Sequence, residues 1–418
     1  LVSLACVDAA GNPIASPPVT NAEPVCDMNG KNCSIAATID ASVLQSGAVC
    51  ILRVTNTDGS FGDFSAIGVT TPSLNLETPK PGTQMNIGRR GLVSAAAKAT
   101  NASRFVFAIG GDDGAAMNAT IFDSVEAAPV DLYGKMGAWA MQRYAMTSPR
   151  VFAASATYGR YIYVGGGSDG MSDLATVERA MVLSPSEAPE IVDVDLTLTD
   201  VGLDPGQWFY RVAAVFDAAD LDNPGGESLA SDEFALKLPS IANKKITVTL
   251  TWAAPKDSLG NLLPNVVGYR IYRTAMANGA SFSEVLLAET NDPMNLQFVD
   301  DGSAVPGTEV PLVLGSTGKW AKLADMSVPR NGTGFAIGPD PDAPDTKLYL
   351  YALLGKNGNA VLNSYEYLPI DVAANGHQTA GNAWTVGMAT ATARWHHGVW
   401  VADRTVRADI GQMPNDPD

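Results

Sequence analysis

One arrangement recurs along this chain in four registers, and it limits the fold more than any other feature. An arginine precedes a small-residue strand. An aromatic or aliphatic strand ending in glycine comes next, and then an alternating strand that carries a glutamate. The first copy is "RRGLVSAAAKATNASRFVFAIGGDDGAAMNATIFDSVEAAPVDL", with Gly110, Gly111 and Glu126 at the marked places. The second runs from Arg150 through "VFAASATYG", "YIYVGGG" and "LATVERAMV", with Gly165, Gly166, Gly167 and Glu178. The third is "KWAKLADMSVPRNGTGFAIG", "KLYLYALLG" and "AVLNSYEYLPIDV", with Glu366, and the fourth opens as "AWTVGMATATARWHHGVWVAD".

A four-stranded unit of this kind cannot bury both faces alone and must stack on a neighbour. Glycines that end the second strand suit a backbone passing close to the centre of a packed ring, where a Cβ would clash. They do not read as a phosphate cradle, because a helix would have to follow and "SDGMSDLATVERAMV" alternates like a strand. Trp139 with Met146, Trp320 with Met326 and Trp384 with Met388 are expected to fill the wedges between units. A glutamate repeated in three units, as Glu126, Glu178 and Glu366, argues for a shared structural hydrogen bond, since a catalytic pair needs no copy in each.

This pattern resembles the kelch repeat, with its glycine pair after an aliphatic or aromatic strand and a tryptophan downstream on the outer strand. The resemblance covers about residues 86 to 187 and 316 to 402, and implies a β-propeller built of one blade per repeat. The third unit departs from it, with Ala352, Leu353, Leu354 and Gly355 where a clean glycine pair is expected. Three blades and one strand are visible. Since propellers close with four to eight, further blades beyond Asp418 or a covering partner are expected.

Tryptophan spacing exposes an insertion. Trp320 and Trp384 lie 64 positions apart, but Trp139 and Trp320 lie 181 apart. Between the third and fourth strands of the second unit lie "GQWFYRVAAVF", "GESLASDEFALKL", "KKITVTLTWAAP", "VVGYRIYRTA" and "FVDDGSA". These resemble fibronectin type III strands in rotated order, implying a circularly permuted sandwich, a rearrangement that surface termini tolerate.

The first fifty residues hold all four cysteines, Cys6, Cys26, Cys33 and Cys50. An even, clustered set in a β-rich segment reads as two disulfides and an oxidising compartment. A zinc site is the weaker reading, for the segment has no Cys-x-x-Cys pair and no histidine. Of the three connectivities the favoured one closes the turn "CDMNGKNC" through Cys26 and Cys33 and ties two strands through Cys6 and Cys50; the sequence leaves the choice open. The stretch "GAVCILRVTNTDGSFGDFSAIGVTTPS" resembles the last strands of immunoglobulin-like IPT/TIG domains of surface proteins. Sequons stand at Asn32, Asn101, Asn118 and Asn331, for a host able to glycosylate them.

The expected organisation is therefore all-β: an immunoglobulin-like sandwich over 1–76, a linker over 77–85, propeller blades over 86–187, a permuted sandwich over 188–315 and the incomplete remainder of the propeller over 316–418. Composition agrees, with 17 % charged residues, 40 Gly and 26 Pro among 418, as many short strands and turns require. Forty-four acidic against twenty-seven basic side chains give a net charge of −17, which repels phosphate backbones and argues against nucleic acid as a partner. No apolar run reaches the length needed to span a bilayer. The chain begins at Leu1, which reads as a processed protein or part of a longer one.

Catalytic candidates are few. Three histidines exist, His377, His396 and His397; the last two, adjacent on a strand, should face opposite ways and cannot readily share a metal. The kelch resemblance extends to galactose-oxidase-like copper enzymes, whose cofactor needs a cysteine inside the propeller, and none is present there. Neither a G-x-S-x-G elbow nor an H-E-x-x-H helix occurs. No cofactor is expected; calcium is the one ion that the acid-rich loops around Asp112 and Asp113, Asp220 and Asp222, and Asp340 and Asp345 would suit, with solvated turns as the equal alternative. The expected role is a non-enzymatic, secreted or cell-surface bacterial scaffold that binds a protein or glycan, or joins an extracellular assembly. The alternative is an enzyme whose active residues lie beyond residue 418.

Overall fold

A computed structural model describes 2–8, 12–15, 19–21, 25–26, 33–34, 37–39, 48–55 and 61–68 of the first 81 residues, and 82–409 except 101–102, 117, 132–133 and 403–404. The fold is all-β, and it divides into two compact units, Leu1–Pro81 and Gly82–Asp418.

In the first unit, strands Pro13–Ile14, Val2–Val7, Val49–Thr55 and Phe61–Gly68 lie side by side in one antiparallel sheet. Cys6 stands opposite Cys50 in this register, and the two are joined by a disulfide. The bond sits in a small core with Leu4 and Ala48. Strands Val25–Cys26 and Cys33–Ser34 pair with Cys26 opposite Cys33; the side chains of both cysteines lie outside the described residues.

The second unit is built on sheets that repeat one design. Strands Val93–Ala97, Arg104–Ile109, Val125–Val130 and Ala140–Met141 form the first antiparallel sheet in sequence order. Ala154–Tyr158, Tyr161–Gly165, Val177–Met181 and Ala321–Lys322 form the second. In the third, Gly334–Pro339, Lys347–Leu353 and Tyr365–Val372 pair in order, and both Gln378–Ala380 and Thr385–Val386 add to the last of them. A hairpin, Gly398–Ala402 with Thr405–Asp409, follows.

Alternation along the second strand of each sheet explains why the sheets stack. Side chains of a strand point alternately to its two faces, so Phe105, Phe107 and Ile109 all leave one face of the first sheet. They share a core with Ile162, Val164 and Ala180 of the second. The opposite face of that same second strand presents Tyr161 and Tyr163, which pack with Leu348, Leu350 and Ala352 of the third sheet. A strand covered on both faces must be apolar throughout, and all five residues of Tyr161–Gly165 are buried. Each large side chain so buried contributes about 2–3 kcal/mol.

Between the third and fourth strands of the second sheet the chain leaves to build a separate sandwich. One layer holds Glu190–Thr199, Lys245–Ala253 and Gln297–Asp300, and the other holds Phe234–Leu238, Gly206–Phe216, Val266–Thr274 and Glu284–Thr290. Trp208, Tyr210 and Val212 face Val248, Leu250 and Trp252 across its core. A buried polar tie joins the layers: the Tyr210 hydroxyl donates to Asp300 Oδ2 at 2.8 Å, and Arg273 Nη1 reaches both oxygens of Asp300 at 2.7 and 2.6 Å. The edge strand Glu190–Thr199 precedes the "GQWFYRVAAVF" strand, an element that the rotated strand order does not provide.

Candidate binding surface at the sandwich junction

The glycines, arginines and glutamates of the repeat form one structural device. Arg89, Arg150 and Arg330 each send a fully buried guanidinium to Glu126, Glu178 and Glu366 respectively, each likewise fully buried. The same guanidinium donates to the carbonyl of the residue at the first glycine position: Arg89 to Gly110 at 2.9 Å, Arg150 to Gly166 at 3.0 Å and Arg330 to Leu354 at 2.9 Å. Each glutamate also accepts a backbone N–H three residues before its arginine, from Asn86, Thr147 and Ser327. Buried charges persist only when paired and hydrogen-bonded, and these carboxylates are fully occupied in holding the sheets.

Gly110, Gly166 and Leu354 all adopt left-handed φ, at 62°, 65° and 57°. A Cβ on Gly110 would lie 2.5 Å from the Arg150 carbonyl oxygen, and one on Gly166 would strike the Arg330 oxygen. Gly111 and Gly167 would strike the carbonyl oxygens of Arg90 and Val151, at 2.8 and 2.6 Å. Gly165, the last residue of its strand, leaves the space that the Phe335 ring occupies. Leu354 supplies the left-handed residue of the third sheet without being glycine.

The tryptophans divide. Trp320 and Trp384 are buried, at 3 % and 8 % exposure, whereas Trp139 is half-buried. Met146 and Met326 are buried beside the sheets, but Met388 is 86 % exposed. Sequence spacing accounts for this correction: Met146 and Met326 precede their arginines, Arg150 and Arg330, by four positions, whereas Met388 precedes Arg394 by six, which moves it off the wedge.

The titratable groups outside this repeat converge where the sandwich meets the sheets. Arg179, on the third strand of the second sheet, donates to Asp222 Oδ1 at 2.8 Å and to the carbonyls of Leu221, in the same sandwich loop, and Gln378, in the third sheet. His377 Nδ1 lies 2.6 Å from Asp222 Oδ2, and its Nε2 lies 3.7 Å from Glu187 Oε1. Glu187, in the single-turn helix Pro185–Glu187 that leads into the sandwich, also pairs with Arg160. The hydrogen bonds from Asp222 and then Glu187 push His377 up to about 9. Burial alone would raise Glu187, but His377 and Arg160 outweigh it and hold that carboxyl below its usual range. A second contact lies further out, where buried Glu227 of the sandwich meets Arg143, Arg270 and Tyr272, the Tyr272 hydroxyl donating to Glu227 at 2.6 Å.

Held charged between two carboxylates, His377 has no lone pair to take a proton near neutrality. His397 is the reverse case: burial, then Arg394 and His396, depress it to about 4. His396 is exposed, and its ring stacks beside Trp395 at 4.2 Å. The three histidines are not brought together, and among the described residues no group of three His, Cys, Asp or Glu is placed to hold a metal ion. In the acid-rich loops Asp222 is held by Arg179 and His377, whereas Asp112, Asp220 and Asp340 use their carboxylates locally. Asp112 is bound by Arg90 and the Gly114 amide, Asp220 by the amides of Asp222 and Asn223, and Asp340 by the Asp342 amide.

Arg179, Glu187 and Arg160 were not singled out in the sequence; Asp222 was, within an acid-rich loop suited to calcium, and its partners are Arg179 and His377. The available signal was Glu178–Arg179, two adjacent charges inside "ATVERAMV", since adjacent strand residues face opposite ways and both faces here are apolar.

No protein-family model and no curated protein matches the chain. Among solved structures, "Structure of YjhT" is similar over 88 % of this chain and 85 % of that one, with 10 % identity and a TM-score of 0.26. That superposition is too loose to carry an argument about fold or role. Among the described residues, no helix is long and apolar enough to cross a membrane.

Proposed function

We propose that this chain is a non-enzymatic extracellular binding scaffold of a bacterium, made of propeller-type blades that carry a fixed, projecting sandwich. The observation that carries the reading is the use made of its charged groups. The buried arginines and glutamates of the sheets, and His377 with its two carboxylates, are all consumed in holding strands or clamping the sandwich. A rigid platform presenting loops is what a binding surface requires.

Three further points support the reading. The left-handed residues Gly91, Phe152, Gly332 and His396 stand at one place in four successive units, and the last three each donate an amide to the carbonyl of the one before: Phe152 to Gly91 at 2.8 Å, Gly332 to Phe152 at 3.1 Å and His396 to Gly332 at 2.8 Å. Such a relay is what blades arranged about one axis would make. The Cys6–Cys50 disulfide fits an oxidising, extracellular setting. The fibronectin-like and IPT/TIG resemblances are to modular binding domains.

The test is a glycan array and a surface-protein capture screen with the whole chain and with a variant in which residues 188–315 are replaced by a short Gly-Ser linker. Selective binding that weakens with the deletion is the expected outcome. Turnover of a carbohydrate or alcohol substrate by the purified chain would contradict the scaffold reading and favour an enzyme.

A further inference from the structure

A pocket of about 290 Å³ opens at the end of the inserted sandwich that lies away from the clamp. The strand Gly206–Phe216 starts beside it and ends at the loop that reaches Arg179 and His377, and the run from Trp208 to Phe216 covers about 26 Å at about 3.3 Å per residue. Two inward-pointing side chains make its floor. Trp208 belongs to the sandwich core with Tyr210, and Arg273, opposite Tyr210 in the register, places its guanidinium 4.8 Å over the Trp208 ring. The walls are two pinned turns. Asn278 fastens the segment 275–277 to the strand, its amide donating to the Gln207 carbonyl at 2.8 Å and its Oδ1 accepting the Gln207 amide at 3.0 Å. On the other side Gly302, at φ 76°, opens the segment 303–306 so close to Gly202 that a Cβ would lie 2.9 Å from the Gly202 carbonyl. A pocket framed in this way is formed before any ligand arrives.

One polar group in this floor is left open. Arg273 is only 3 % exposed. Its Nη1 engages both oxygens of Asp300, and its Nε donates to the Thr274 carbonyl at 3.3 Å. Among the described residues Nη2 makes no hydrogen bond, and it is not among the buried atoms that solvent cannot reach. That N–H pair therefore faces the pocket that Arg273 lines. The surrounding charges say what kind of acceptor suits it. Asp300 already neutralises Arg273, and Lys245 pairs with Asp204 on the opposite wall. Asp301, held by the Ser303 amide and hydroxyl, adds a further acid at the edge. An anion would meet a net negative surround, whereas a neutral carbonyl would not. The rim is apolar, with Met276 68 % and Val305 87 % exposed.

We infer that this pocket receives one aromatic residue of a partner protein: the ring seats between Met276 and Val305, and the partner's backbone carbonyl beside it accepts from Arg273 Nη2. A pocket of this size suits a single anchoring side chain, and interfaces draw most of their affinity from such aromatic anchors in preformed pockets. Met276 adds a sulfur contact to the ring. A hydrogen bond to a charged donor is stronger than one between neutral groups, which is why the carbonyl is drawn to Nη2. The inference rests on the scaffold reading and gives it a point of contact, at the end of the sandwich that the clamp leaves outward.

The test is a titration of the whole chain, labelled at its methionine methyl groups, with N-acetyl-L-phenylalaninamide, followed by nuclear magnetic resonance. The Met276 resonance should shift and saturate in the millimolar range, while that of Met171, 93 % exposed on another surface, stays in place. N-acetylglycinamide, which lacks the ring, should leave Met276 unmoved. N-acetyl-L-phenylalanine, whose free carboxylate brings a negative charge, should bind several-fold more weakly than the amide. Val305→Asp, at an exposed rim position, should weaken the amide at least about tenfold, the equivalent of about 1.4 kcal/mol. A Met276 resonance that does not move, that moves equally with the glycine compound, or that moves together with Met171 would overturn the proposal, as would tighter binding of the acid or unchanged binding by Val305→Asp. Failure here alongside a partner found in the capture screen would strike this pocket alone, whereas turnover of a substrate would strike the scaffold reading itself.

Discussion

The amide of Gly111 donates to the carbonyl of Arg150 at 2.9 Å, and the same bond joins Gly167 to Arg330 and Gly355 to Arg394, each at 2.8 Å. The second glycine of one sheet is thereby fastened to the arginine that opens the next. That arginine, in the second and third sheets, is itself fixed by a buried glutamate, so the strand ends, the ion pair and the stacking of sheets form one coupled system.

Substitution at the first glycine position should be severe. Gly166→Ala combines a left-handed φ, worth about 1–2 kcal/mol of strain for a residue with a Cβ, with a collision against the Arg330 carbonyl. Gly88→Ala serves as the control, since nothing lies within 4 Å of its Cβ position and its φ is not in the left-handed region. Chemical denaturation should show a large loss for Gly166→Ala and almost none for Gly88→Ala; equal effects would mean that the close approach is not maintained.

Glu178→Gln should destabilise by about 3–5 kcal/mol, because it leaves the buried Arg150 charge unpaired. Replacing both residues by apolar ones, Arg150→Met with Glu178→Leu, should recover part of that loss. Denaturation midpoints of the single and double variants, taken as a cycle, give the coupling.

The clamp on the sandwich has a pH signature. His377 is raised from an ordinary value near 6.5 to about 9, so its contribution is complete below about pH 6.5 and is lost as pH rises through about 9. Thermal midpoints measured between pH 6 and pH 10 should fall more steeply for the native chain than for His377→Gln. Parallel curves would show that the Asp222–His377 contact contributes nothing to stability.

The disulfide should act on the first unit alone. It spans a sequence separation of 44, for which the chain-entropy relation gives about 4 kcal/mol. Calorimetry of a Cys6→Ala, Cys50→Ala variant should show the transition of the Leu1–Pro81 unit lowered and that of the larger unit unmoved.

Some of this was legible in the sequence. The all-β fold follows from the aromatic alternation of "RFVFAIGG" and "YIYVGGG", because a glycine-terminated strand with two apolar faces can hardly be anything but a central strand. The Cys6–Cys50 pairing was readable as a tie between two strands. The wedge at Met388 was not, since spacing by residue type overlooks a two-residue slip against the following arginine. Nor were Glu187, Arg160 and the pairing of Asp222, which are ordinary loop or turn charges until the inserted sandwich brings its loop against the sheets. Local pattern carries no information on such pairings between distant segments; only the odd charge of Arg179 in an apolar strand hinted that a partner was needed.

The most direct measurement of the stacked-sheet arrangement is amide hydrogen exchange at Gly111, Gly167 and Gly355. If each is bonded to the arginine carbonyl of the next unit, all three should exchange as slowly as the strands they follow, with free energies near that of global unfolding. Exchange of these amides at the rate of exposed loop glycines, such as Gly114, while the neighbouring strands stay protected would contradict the joining of one sheet to the next.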